Sequence, residues 1–230
     1  MNELVLILSL FVIYGSTILC YRLFGKSGLF AFGAIATVLA NIEVLILIKA
    51  FGFEQTLGNV LFASTFLITD ILSENEGKKE ANKAVNIGIF AAVFMVAMTQ
   101  IWLLFTPSAS DWAFPSVKAL FSVTPRLLAA SLLALIISQK LDVFLYHKWW
   151  ELTERISGDK KAFLWLRNNG STLVSQIVNT LVFNLVAFAG IYNTSTLISI
   201  VVSSYLIYFF TSLLDTPFVY IARRMKQINP

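Results

Sequence analysis

The sequence is short of the residues on which most metal sites and many enzymes depend. Cys20 is its single cysteine and His147 its single histidine, which excludes an intramolecular disulfide and a Cys/His metal cluster built from this chain. No Gly-x-Ser-x-Gly, His-Glu-x-x-His or phosphate-binding glycine loop occurs, so no catalytic set emerges and no cofactor is called for. Charge is scarce too. Asp, Glu, Lys and Arg make up 13% of the chain, against roughly 25% in a soluble domain.

Apolar residues fill the space left. They account for 57% of the 230 residues, with 20 Phe and 5 Trp, and the mean hydropathy is +0.77. This composition implies a multi-pass protein whose first partner is the lipid bilayer. Windows of roughly 20 residues, the length that spans the hydrocarbon layer, predict seven helices, near 3–22, 28–50, 56–73, 83–106, 119–141, 171–192 and 196–222. The expected fold is an all-α polytopic transmembrane helix bundle forming one domain over 1–230, with six helices as the alternative count. Met1-Asn2-Glu3 lacks the positive region of a signal peptide, so the first helix is expected to stay in the mature protein.

Basic residues test the count. With seven spans, Arg22, Lys26, Lys78, Lys79, Lys83, Lys140, Lys148, Arg155, Lys160, Lys161, Arg167, Arg223, Arg224 and Lys226 fall on one side. The other side keeps Lys49, Lys118 and Arg126. The positive-inside rule then puts the N-terminus outside and the C-terminus in the cytoplasm of a cell-membrane protein. Six spans would spoil this asymmetry. Basic residues confined to one face also explain a pI near 9.2 without a nucleic-acid partner. The 146–168 connection, with Trp149, Leu152 and Ile156 on one helical face, reads as an amphipathic helix on the cytoplasmic leaflet. A homodimer is left open.

Polar residues inside spans are candidates for function because burying them is costly. In the sixth span Thr172, Gln176, Asn179 and Phe183 follow at offsets of four, three and four, so they share one face, and Asn184 ends the same stretch. An amide stripe of this kind suits a planar, hydrogen-bonding solute, or simply holds two helices together. Gln139 and Asp142 repeat the spacing on the fifth span. Glu43 is the deepest ionisable residue by position, with Asn41 nearby on a different face. Asp70 and Glu74 lie one turn apart, Glu74 reading as the more solvated. Arg126 opens the fifth span and either pairs across the bundle or snorkels outward. Asp215-Thr216-Pro217 suggests a local break in the last span.

Thr69-Asp70-Ile71-Leu72-Ser73-Glu74 followed by Gly77-Lys78-Lys79 resembles the signature of the queuosine precursor transporters, also called vitamin uptake transporter-like proteins. Arg126 with Ala130-Ser131, Gln139-x-Leu141-Asp142-Val143, Ser171-Thr172 with Gln176-x-x-Asn179-Thr180, and Asp215-Thr216-Pro217-Phe218 follow in the same order. The resemblance implies uptake of a deazapurine, either a 7-deazaguanine base or queuine, for tRNA modification. A carboxylate, Glu43 or Asp70, would take the base's N–H donors, and Gln176, Asn179 or Gln139 would read the remainder. Asn41, Asp142, Arg126 and Asn184 complete the candidate set. The family pattern carries an aspartate where Asn179 stands and a lysine about where Tyr208 stands, a pair replaced here by two neutral residues. Two other readings stay open: a substrate-binding membrane subunit energised by an ATPase, and an intramembrane enzyme using aspartates.

Overall fold

The computed structural model describes residues 1–122, 125–191 and 193–225. In chain order it contains α1 (Asn2–Glu43), a hairpin of β1 (Leu47–Ala50) and β2 (Phe53–Thr56), α2 (Gly58–Asn75), α3 (Lys78–Trp102), α4 (Phe114–Phe121), α5 (Pro125–Ser157), α6 (Leu164–Phe188) and α7 (Thr194–Arg224). The hairpin strands are antiparallel, with Leu47 opposite Thr56. Everything else regular is helical, as expected of a chain that must satisfy its backbone hydrogen bonds within lipid.

α1 is not one rod. Gly25 has φ 58 and ψ −150, a conformation that only glycine adopts readily, and the helix reverses there. A Cβ at Gly28 would lie 2.7 Å from the Cys20 carbonyl, a contact impossible in a straight helix. Ile13 likewise packs against the cluster of Ala36, Ala40 and Leu61. The two arms, 2–24 and 26–43, therefore run antiparallel. Among the described residues, five helices are long and apolar enough to cross a membrane: α1, α3, α5 from Arg126, α6 and α7.

α2 is the exception in composition and the centre of the fold. Of Gly58 to Ser73, only Phe62 is not fully buried. Because α1, α3, α5 and α7 pack around it, its polar residues face protein rather than lipid. α6 shows the complementary pattern. Asn168, Thr172, Gln176 and Asn179 are buried, while Val174, Ile177, Leu181 and Leu185 are exposed, the reverse of a helix in water. This inversion is what a bilayer imposes.

Several boundaries differ from expectation, each for a local reason. The second arm ends at Glu43 and the chain turns into the hairpin, so Glu43 closes a helix rather than occupying the middle of one. Residues 146–157 continue α5 as one helix, with Leu152 and Ile156 on its exposed side. Pro217 does not break α7, which runs on to Arg224.

Side-chain contacts sort the helix ends into two groups. At one end Tyr21 donates to Glu76 at 2.9 Å, and Lys26 lies 3.8 Å from Glu80. The side chain of Glu74, expected near solvent, is instead 2% exposed. Arg167 grips it through Nε and Nη2 at 2.9 and 2.7 Å, Tyr146 donates at 2.7 Å, and Arg223 approaches to 3.2 Å. The Arg167 guanidinium also stacks 4.2 Å from the Trp150 ring centre. This buried cluster ties α2, α5, α6 and α7 together at the basic end. At the other end Asn2 donates to the Lys49 carbonyl at 2.8 Å, and Gln100 to that of Phe121 at 3.1 Å.

Removing one partner of a buried ion pair leaves the other uncompensated. Glu74→Gln is expected to destabilise the protein by about 3–5 kcal/mol, read as a lower unfolding transition of the purified protein in detergent. A loss within about 1 kcal/mol, the range of exposed pairs, would contradict the buried bridge.

Candidate functional site

The polar faces of α2, α5, α6 and α7 meet in successive tiers between the two ends. Furthest from the basic end, Tyr208 donates to Asn59 at 3.1 Å and lies within hydrogen-bonding reach of Asn179. Ser138 donates to Asn179 at 3.4 Å. Asn179 and Tyr208 are thus neighbours across α6 and α7. Next comes Gln139, whose amide donates to the Thr65 hydroxyl. Both residues are buried.

The central tier holds two carboxyls. Thr172 donates to Asp70 Oδ2 at 3.2 Å and Ser175 to Asp142 Oδ1 at 2.9 Å. Asp70 and Asp142 are themselves within hydrogen-bonding range of each other, and neither is exposed at all. Two carboxyls so close in a dry interior need a shared proton or a cation between them. One tier further on, Asn168 donates to Asp215 Oδ1 at 2.8 Å. Thr216 accepts an amide N–H from Asn169 at 2.7 Å. The Glu74 cluster closes the series, one turn or about 6 Å along α2 from Asp70.

Asp70 Oδ1, Asp142 Oδ2, Gln176 Oε1 and Asn168 Oδ1 are buried and receive no N–H or hydroxyl hydrogen bond among the described residues, and the buried hydroxyls of Ser73 and Thr180 are likewise without a partner. A buried acceptor left without a donor costs about 1–3 kcal/mol. Beyond a proton shared by the two carboxyls, these oxygens can accept N–H donors or a cation.

Of the residues singled out in the sequence, Asp70, Gln139, Asp142, Gln176 and Asn179 come together in this interior. Asn184 is buried on the same helix, but its amide donates to the Thr180 carbonyl at 2.8 Å, one turn back. Three others stand apart. Glu43 is half-buried at the end of α1. Asn41 accepts from Ser131 at 2.8 Å, nearer the end away from the basic cluster. Arg126 is exposed and caps α6, donating to the carbonyls of Val186 and Ala189, so it neither pairs across the bundle nor merely snorkels. Asp215 and Asn168 were not singled out as site residues. Asn168 extends the Thr172, Gln176, Asn179 stripe by one more turn, a signal present in the spacing. Ser175 gives no such signal, because a lone serine beside apolar residues has no distinctive pattern.

The carboxyl contact has a direct check. Asp70→Asn and Asp142→Asn, changed singly and together, are expected to show an interaction energy of about 0.5–3 kcal/mol in unfolding measurements, the range for groups in contact. Additive effects would place the two carboxyls apart.

All these tiers, from Asn59 to Asp215, fall within a single family match: residues 56–222 match the family described as "Putative vitamin uptake transporter". A relative from Bacillus subtilis (strain 168), "Probable queuosine precursor transporter", is 42% identical over 208 residues, covering 90% of this chain and 89% of the relative. No solved structure matches the chain. A match over most of the length, with the buried carboxyls inside it, identifies the chain as a multi-pass membrane protein belonging to the vitamin uptake transporter family.

Proposed function

We propose that this protein takes up a queuosine precursor, a 7-deazaguanine base or queuine, into the cytoplasm for tRNA modification. The observation that carries the reading is the set of buried acceptors on Asp70, Asp142, Gln176 and Asn168 that lack donors. A guanine-like edge presents adjacent N–H donors, which suit a carboxylate, and one carbonyl, which suits an amide or hydroxyl donor. An aminomethyl cation, carried by some precursors, would lie between Asp70 and Asp142 in place of the shared proton. The name of the 42% identical relative points to the same solute.

In this reading no covalent bond is made or broken, and the carboxyls bind rather than catalyse. The basic end faces the cytoplasm by the positive-inside rule, which puts the N-terminus outside. The central carboxyls have no exposed surface, so the solute reaches them only when helices separate at one end or the other, as in alternating access.

Radiolabelled 7-deazaguanine bases offered to cells lacking their own transporter, with and without this protein, test the proposal. Uptake above background is expected, and no uptake of any such base contradicts it. Gln176→Leu is expected to reduce uptake about tenfold or more, the equivalent of one strong hydrogen bond lost. Glu43→Gln, away from the polar interior, is expected to transport like the unaltered protein. Equal losses in both variants would contradict the placement of the site.

A further inference from the structure

One buried carboxyl lies outside the Asp70–Asp142 pair. Asp215 on α7 is 1% exposed and sits between that pair and the Glu74 cluster. Among the described residues no ion pair reaches it. The titratable groups that face it are Tyr14 on α1, Asp70 on α2 and Asp142 on α5, and none of them is a cation. Arg167 on α6 and Arg223 on α7 are committed to Glu74. A carboxylate without a cation is costly in a dry interior, and such a group neutralises instead.

The hydrogen bonds around Asp215 show the same need from the other side. Asn168, fully buried, donates from its amide nitrogen to Asp215 Oδ1 at 2.8 Å and to Thr216 Oγ1 at 3.2 Å. Its carbonyl, Oδ1, receives no donor among the described residues. The hydroxyls of this tier are engaged elsewhere. Thr216 donates to the Ser212 carbonyl at 3.4 Å, Ser212 to Asn169 Oδ1 at 3.4 Å, Ser171 to the Arg167 carbonyl at 2.8 Å, and Tyr14 to the Thr211 carbonyl at 3.2 Å. One hydrogen is missing, and Asp215 is the group that can hold it. A protonated carboxyl donates as well as accepts. With a proton, Asp215 forms a two-way pair with the Asn168 amide, N–H to carboxyl and O–H to carbonyl, and carries no charge.

We infer that Asp215 and Asn168 form a proton-carrying site, loaded while the interior is closed around a solute, and that each base taken up brings one proton with it. The inference rests on the proposal that this protein imports a deazaguanine base, and it adds the ion that drives the import. Asn168 Oδ1 then takes its donor from Asp215, and Asp70, Asp142 and Gln176 remain for the base. The coupling follows from solvation. A base at the carboxyl pair displaces water from the adjoining tier, so Asp215 must then be neutral. When the Glu74 cluster parts and the base leaves, water enters, solvates the carboxylate, and the proton passes to the cytoplasm. A metal cation suits the site less well, because hard cations take oxygen ligands and Asn168 turns its N–H toward Asp215.

Two measurements test the inference. The first uses no solute: the infrared spectrum of the unaltered protein at neutral pH minus that of Asp215→Asn. Asparagine has nearly the same shape and can keep both hydrogen bonds to Asn168, and the proton shared by Asp70 and Asp142 cancels in the difference. The carbonyl band of a protonated carboxylic acid, shifting in deuterium oxide, is expected. Its absence overturns the site. The second uses proteoliposomes, with the membrane potential held at zero, and a radiolabelled neutral 7-deazaguanine. An acidic exterior is expected to drive accumulation of about tenfold per pH unit, the value for one proton per base, while Asp215→Asn brings the base only to equal concentrations on the two sides. Accumulation by Asp215→Asn equal to that of the unaltered protein, or accumulation that follows a sodium gradient instead, overturns the coupling. Exchanging the pair, Asn168→Asp with Asp215→Asn, keeps one acid and one amide and is expected to regain the band and the accumulation. Loss of both in the folded exchange variant overturns the pair as the acting unit. Absence of uptake by any form defeats the transport reading and the coupling together, while the infrared band, if present, keeps the proton site.

Discussion

The contact between Asp70, Asp142 and the hydroxyls of Thr172 and Ser175 sets the terms for the rest of the structure. Carboxyls at the centre of a bilayer protein are tolerated only where other protein groups surround and bond them. Here that requirement is met by burying α2 on nearly every side and turning the polar faces of α5, α6 and α7 toward it. The apolar residues displaced from those faces then point outward, where lipid accepts them. One local constraint thus accounts for the inverted pattern of α6 and for a central helix with little lipid-facing surface.

The two ends of the bundle are closed by different means. At the basic end, a buried carboxylate is held by an arginine through two hydrogen bonds, by a tyrosine, and by a second arginine at the rim. At the other end, Arg126 caps the last carbonyls of α6, and single amide contacts join α1 to β1 and α3 to α4. A buried ion pair resists separation more than exposed contacts do. Such asymmetry suits a protein that opens first on the side away from its positive charges. The stripe on α6 then gives a series of hydrogen-bonding groups from Asn168 to Asn179.

Much of this was legible in the sequence, for physical reasons. Hydropathy marked the long helices, and offsets of three and four marked Thr172, Gln176 and Asn179 as one buried face. Charge sidedness matched the grouping of helix ends, since Arg22, Lys78, Arg167 and Arg223 belong to the same end. Other features depended on tertiary contacts that no local pattern carries. Glu43 read as deep because apolar residues continue past it, yet Val44 to Ala50 turn into a strand. Glu74 and Arg167 read as solvent-facing charges because their pairing spans 93 residues. Asp215 read as structural beside a proline, but the helix passes through that proline and carries the carboxyl into the interior.

The central claim is that buried acceptors around Asp70 and Asp142 receive the N–H groups of a deazaguanine base. Thermal unfolding of the purified protein with a panel of queuine, aminomethyl and neutral 7-deazaguanines, guanine and common vitamins tests it most directly, because a ligand of the folded state raises apparent stability. The account predicts the largest upward shift from a deazaguanine, and a loss of any preference for the aminomethyl form in Asp142→Asn. No shift from any deazaguanine, or an undiminished preference for the cation after that substitution, would contradict it.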